Sequence, residues 1–255
     1  MTALWVGWAV AAVALVAVGV AVGIGSTGHS AGVLVDTRGR YSLSRLQLSV
    51  WLLVVLSLLI GVTAARLATQ GTAPLDFTVP PELLGVLGLS VGTTVVAGAV
   101  KANKSSRRAA YVAAPPPGWR PRWRDVLLIE EGPDAERTID LTKLQNLLLT
   151  AFVAVAYVGL AVHTFLGMGE PSVGSPADIT ALPSMSPTFL TLLAISQAGY
   201  VGGKLPDRGA DPLVDRPAHT VEERRRGAVR VPAAREPSTK EHAGRSRGAA
   251  VVGGS

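Results

Sequence analysis

Four stretches of the chain, residues 3–24, 48–65, 83–100 and 147–166, contain no Asp, Glu, Lys or Arg. Each is long enough, or nearly so, to cross roughly 30 Å of hydrocarbon as a helix. Only helices and closed barrels satisfy their own backbone groups in that solvent. The runs therefore predict an all-α integral membrane protein, and the composition agrees, with hydrophobic residues at 48% and charged residues at only 16%. A fifth apolar stretch, 187–203, is shorter and carries Ser196 and Gln197. A buried re-entrant helix competes there with a true crossing.

The basic residues decide the orientation and the parity. Lys and Arg collect in cytoplasmic loops because their translocation is opposed. Three lie in residues 25–46, nine in 101–143 and eleven in 204–255, leaving only Arg66 of the 24 elsewhere. If those three segments are cytoplasmic, the first helix starts outside and an odd number of crossings returns the tail inside. Five transmembrane helices satisfy this and four do not. The expected layout is transmembrane helix 1 in 1–24, a cytoplasmic loop in 25–47, a hairpin of helices 2 and 3 in 48–100, a second cytoplasmic loop in 101–143, a hairpin of helices 4 and 5 in 144–203, and a disordered cytoplasmic tail in 204–255. Residues 1–4 lack a basic segment and the first apolar run exceeds the usual length for a signal peptide, so a retained anchor is expected.

The chain repeats itself. Ser-Leu-Ser-Arg-Leu-Gln at 42–47 returns as Asp-Leu-Thr-Lys-Leu-Gln at 140–145, and Pro-Glu-Leu-Leu-Gly-Val-Leu-Gly-Leu-Ser at 81–90 returns as Pro-Thr-Phe-Leu-Thr-Leu-Leu-Ala-Ile-Ser at 187–196. One leading helix followed by two parallel-repeat hairpins, related by a pseudo-two-fold axis along the membrane normal, is the arrangement this predicts. Within the repeated phrase, Ser44 and Gln47, like Thr142 and Gln145, stand three apart at the start of an apolar run, which is the spacing of a helix capping box. Arg45 and Lys143 then fall at headgroup depth. Ser186-Pro187 predicts a further helix start. Small residues four apart, Gly19 with Gly23, Gly88 with Gly92, and Ala194 with Ala198 and Gly202, are candidates for close helix approach. Ser90 and Ser196, with Gln197 beside the latter, are expected to meet between the hairpins.

These same motifs, together with WRDVLLIEEG at 123–132 and LLAISQAGYVGGK at 192–204, resemble a group of uncharacterised bacterial multi-pass membrane proteins. The likeness covers about 38–206. It implies the polytopic architecture and transfers no catalytic residue.

Chemistry is sparse. The apolar runs hold no ionisable carboxylate or ammonium, the usual mark of an ion path or proton relay. Cysteine is absent, and His29, His163, His219 and His242 are not at ligand spacing, so no catalytic residue, metal or cofactor is expected. Gly28 to Gly32 imitates a hydrolase elbow without the strand that such a turn requires. The loop stretch with Trp119, Trp123 and the apolar residues 126–129 reads in three ways: lying on the membrane surface, docking a partner, or packing as a linker on the helix ends. The excess of basic charge points to anionic headgroups in a bacterial plasma membrane and not to nucleic acid. A cytoplasmic protein reached through 115–136 or the tail, and further copies of the chain, are the other expected partners. The expected role is a non-enzymatic scaffold or anchor, with a small channel or transporter between the hairpins as the rival.

This layout makes a direct prediction: reporter fusions at Thr2, Ala73 and Gly174 should report the outside, and those at Ser105 and Ser255 the cytoplasm. A cytoplasmic signal at Gly174 removes the fourth crossing.

Overall fold

The computed structural model describes residues 2–69, 73–107, 120–131, 137–167 and 179–206. They belong to the compact unit Met1–Pro212. Trp119, most of the proposed tail and two of the histidines, His219 and His242, lie outside the described residues.

Five helices account for most of it: α1, Thr2–Thr27; α2, Leu43–Ala68; α3, Pro81–Arg107; α4, Leu141–Gly167; and α5, Pro187–Gly202. The first four are long and apolar enough to cross a membrane, so the chain has the build of a multi-pass membrane protein. The fifth has 16 residues, about 24 Å at 1.5 Å per residue. It starts as the Ser-Pro pair predicts, with Pro187 in the first turn and the Ser186 hydroxyl accepting from the amide of Thr188 at 3.3 Å. Helices α2 and α4 begin 98 residues apart, at Leu43 and Leu141.

Helix α2 is the central element and packs against α1, α3 and α4, while α5 packs against α3 and α4. Its buried stripe, Trp51, Val55, Leu58, Val62 and Ala65, recurs every three or four residues, as one face of a helix must. The matching stripe of α4 is Val153, Tyr157, Ala161 and Phe165. Outward faces stay apolar: Val13 is 70% exposed and Val155 73%. Such faces suit lipid, which is as apolar as they are.

Because lipid provides no hydrophobic drive between helices, close contact has to come from shape. The seam between α1 and α2 provides it. A Cβ on Gly7 would lie 2.9 Å from the Cβ of Ala64, and one on Gly61 would lie 2.8 Å from the Cβ of Trp8. Trp8 completes the seam by donating from Nε1 to the Ser57 hydroxyl at 3.0 Å. Between α3 and α5 the close glycine is Gly85, against Leu190. The expected rows fare differently: a Cβ on Gly19, Gly88, Gly92 or Gly202 would meet nothing within 4 Å. Those glycines make no close approach, whereas Gly23 of the α1 row does, to the backbone of the 29–32 turn and not to another long helix: a Cβ there would lie 2.8 Å from the amide nitrogen of Gly32.

The ends of the helices opposite the α2 start are stitched by backbone. The amide of Thr78, before α3, donates to the carbonyl of Thr180 at 2.8 Å, and the amide of Leu182 returns a bond to Thr78 at 3.0 Å. Arg66, in the last turn of α2, donates to the carbonyls of Ile179 and Ala73. The single basic residue outside the three basic segments is thus a buried clamp between both connections at this end.

A glycine test separates seam from surface. Gly61→Ala should lower the melting temperature of the detergent-solubilised protein, since overpacking against Trp8 costs about 1–3 kcal/mol. Gly88→Ala and Gly92→Ala should leave it unchanged or raise it, by up to about 1 kcal/mol each from helix propensity.

Candidate functional site: a buried charge cluster and a polar layer

The end of the bundle where α2 and α4 begin and α3 and α5 finish holds nearly all of the buried polar chemistry. The helix starts differ from the expected capping boxes. Ser42, not Ser44, occupies the cap position of α2, and its hydroxyl bonds to that of Ser44 at 3.1 Å without capping the backbone. At α4 the cap is Asp140, whose carboxylate accepts from the amides of Thr142 at 3.0 Å and Lys143 at 3.4 Å and from the Thr142 hydroxyl. Thr142 and Gln145 do not cap, and Gln145 is exposed. Both helices start two residues earlier than the boxes require, and a carboxylate at the positive end of the α4 dipole is the better acceptor. Burial alone would raise the pKa of Asp140, but the bonds from Thr142 and Lys143 outweigh it and hold this carboxyl below its ordinary pKa.

Gln47 has a different partner set. Its Nε2 donates across the bundle to the Thr150 hydroxyl at 2.7 Å and to the Asn146 carbonyl at 3.3 Å, while Asn146 Nδ2 returns a bond to Gln47 Oε1 at 3.4 Å. Ser196 donates to Asn146 Oδ1 at 3.2 Å. Asn146 is fully buried. Helices α2, α4 and α5 are therefore joined by one amide-centred layer, and Ser196 is turned to Asn146 and not bonded to Ser90. Thr94 of α3 adds a bond to the carbonyl of Ser44 at 3.1 Å. Ser90 Oγ and Gln197 Oε1 are buried with no hydrogen-bond partner.

Below this layer lies a cluster of charges. Glu130, carried by the segment between α3 and α4, is within 2.7 Å of Lys101 and of Lys143, 3.2 Å of Lys204 and 3.9 Å of Arg38. Glu131 pairs with Lys104 at 2.7 Å and Arg38 at 3.5 Å, and Asp36 pairs with Lys101 at 2.8 Å. Lys104 also donates to the carbonyl of Pro206, Lys143 to that of Leu128, and Lys204 stands 4.8 Å from the ring centre of Tyr200. None of these side chains is more than 14% exposed in the pairs that hold Glu130. Burial would push the Glu130 carboxyl up, yet Lys143, Lys101 and Lys204 together hold it well below the usual carboxylate range.

The segment that carries Glu130 is packed on the helix ends, the third of its expected readings. Asp125 and Val126 are buried, Val126 against a small core of Leu43, Ala97 and Tyr200. Trp123 stacks on Tyr41 with ring centres 4.7 Å apart and is otherwise exposed. Residues 115–119 and 132–136 lie outside the described residues.

Sequence reasoning missed Asn146, Thr150 and the cluster. The signals were present. Asn146 and Thr150 are polar residues four apart at the entry of an apolar helix, and four of only five lysines in the chain, Lys101, Lys104, Lys143 and Lys204, lie at or near helix ends. Among the described residues no group of three or more His, Asp or Glu could hold a metal ion.

Two predictions follow from this geometry. Asp140→Ala should cost on the order of 1 kcal/mol of stability as a lost cap, and Asn146→Ala a comparable amount, since interhelical bonds in membranes average about 0.6 kcal/mol each; Gln145→Ala should cost nothing measurable. Thermal melts of the three variants decide this.

The second concerns pH. A carboxylate whose folded pKa is depressed stabilises the fold above its unfolded value, about 4.3 for Glu, and loses that contribution as pH falls through the folded value. Glu130→Gln should therefore be strongly destabilised near pH 7, by about 3–5 kcal/mol if it behaves as a broken buried pair. The gap to the native chain should narrow only below about pH 4. A gap independent of pH between 7 and 3 contradicts the assignment.

In comparisons with known proteins, no family profile, no curated protein and no solved structure matches the chain.

Proposed function

We propose that this multi-pass protein is a scaffold or anchor of the bacterial plasma membrane rather than an enzyme, with five crossings arranged as one helix plus two parallel-repeat hairpins, its amino terminus outside and its carboxyl terminus inside. In this reading α5 crosses with the help of the 179–186 segment before it, where Ile179, Leu182 and Met185 are packed into the core. The matching starts of α2 and α4 support the repeat. The basic end is the cytoplasmic face, adjacent to anionic headgroups, and it presents the 120–131 segment and the tail to a soluble protein partner.

The observation that carries this reading is the Glu130 cluster. One short segment ties together the ends of α3 and α4, the second residue after α5 and the turn before α2, so the face behaves as a rigid platform. The Gln47, Asn146, Thr150 and Ser196 layer above it is closed on itself.

One observation favours a second reading, a small channel or transporter between the hairpins. Ser90 Oγ and Gln197 Oε1 are polar atoms buried without partners, and such atoms are costly unless water or a solute meets them. Cysteines placed at 90 and at 196 in this cysteine-free chain distinguish the two. The scaffold requires both to resist a membrane-impermeant thiol reagent in native membranes, and requires mild-detergent purification to retain a stoichiometric soluble partner that is lost from Glu130→Gln. Labelling at both positions, with solute flux in proteoliposomes, would transfer the assignment to transport.

A further inference from the structure

A cavity of about 120 Å³ opens between the first turn of α2, the basic end of α3 and the turn at 36–37. Arg45, Lys101, Asp36, Ser42, Ser44 and Thr94 are among the polar residues that line it, with Thr37 at the turn. One water needs only about 10–15 Å³ of such space, so several oxygen-sized groups fit. We infer that this cavity binds a single phosphate group, either the phosphodiester of an anionic lipid headgroup or free phosphate.

Charge sets the class of ligand. Two cations and one carboxylate line the space, leaving a net charge of one positive unit for a monoanion. Asp36 is already satisfied: it takes the Lys101 ammonium at 2.8 Å and accepts from the amides of Arg38 at 2.9 Å and Arg40 at 3.2 Å. Lys101 directs its remaining contact to Glu130 at 2.7 Å, which leaves one of three ammonium protons for the cavity. Arg45 commits one nitrogen, Nη1, to the carbonyl of Val35 at 2.6 Å. The rest of its five-donor fork suits a tetrahedral oxyanion.

The walls are built rather than incidental. Ser42, Ser44 and Lys101 are each at least nine-tenths buried, and the two serine hydroxyls bond to one another at 3.1 Å. Neither is engaged in capping α2, where α4 has the Asp140 carboxylate and α5 the Ser186 hydroxyl. An anion in the cavity would add the missing acceptor at the positive end of the α2 dipole.

Depth favours the lipid as the source. Arg45 and Lys101 stand at the ends of the apolar runs 48–65 and 83–100, which is where headgroups lie. Only this choice of source rests on the membrane reading proposed above; the phosphate chemistry stands without it.

Gly98 supplies a clean probe, because it lines the cavity and a Cβ there would meet nothing within 4 Å. Gly98→Leu fills the space and leaves every charge in place. The full chain, purified in neutral detergent, would be melted with mixed micelles of phosphatidylglycerol or phosphatidylcholine, and separately with inorganic phosphate or chloride at equal ionic strength. The expected result is an upward shift with phosphatidylglycerol over phosphatidylcholine that is lost in Gly98→Leu and in Arg45→Gln but kept in Arg124→Gln, an exposed base at the same end. A shift with inorganic phosphate under the same variant pattern identifies free phosphate as a ligand as well, or as the ligand if phosphatidylglycerol has no effect. Absence of any shift, or a shift that survives Gly98→Leu, overturns the inference.

Discussion

Everything at the basic end depends on a carboxylate being placed among more cations than it can neutralise alone. Glu130 is approached by Lys101, Lys143, Lys204 and Arg38, which come from four separate parts of the chain. Each lysine by itself would be an ammonium at the edge of hydrocarbon, which is costly. Together they are tolerable only because Glu130, Glu131 and Asp36 stand between them. The helix ends therefore repel one another through their cations and are held together by three acids placed between them.

The polar layer one turn deeper works by a different rule. Gln47 and Asn146 exchange bonds across 99 positions of sequence, and neither carries a charge. An amide pair in a membrane is directional without the desolvation cost of ions, so it sets the register of α2 against α4 while the cluster sets their separation. Arg66 does the corresponding work at the far end, where it holds both connections through their carbonyls.

Much of this fold was legible in the chain. Uncharged runs located the four long helices, with ends displaced by up to seven residues where charged or polar residues continue the helix, and the doubled phrase marked where α2 and α4 begin. What failed was finer. Ser44 and Thr142 have capping-box spacing, but spacing does not reveal that Ser42 and Asp140 precede them by two residues and take the cap position first. Gln47 looked like a cap residue because its partner, Asn146, lies on α4, and a pattern read along the sequence does not display contacts between distant helices. Gly88 and Gly92 satisfy the small-residue rule, while the glycines that matter, Gly7, Gly61 and Gly85, are paired with residues on other helices and form no row. The Glu130 cluster was hidden for the same reason: its members are spread from Asp36 to Lys204, and only the scarcity of lysine hinted that four of them share a task.

The seam between α1 and α2 has a consequence for the order in which the molecule is put together. These two helices are neighbours in sequence, joined by the short connection that includes Gly32–Leu34, and their glycines and Trp8 interlock without help from the rest of the chain. A growing polypeptide could close that pair soon after both helices have left the ribosome. Gln47 projects from the same α2 and has to wait, because Asn146 and Thr150 are synthesised about a hundred residues later. During that interval an unpaired amide faces lipid or whatever helper occupies the insertion site, so the interval between the second and fourth helices is the vulnerable period in the life of this protein.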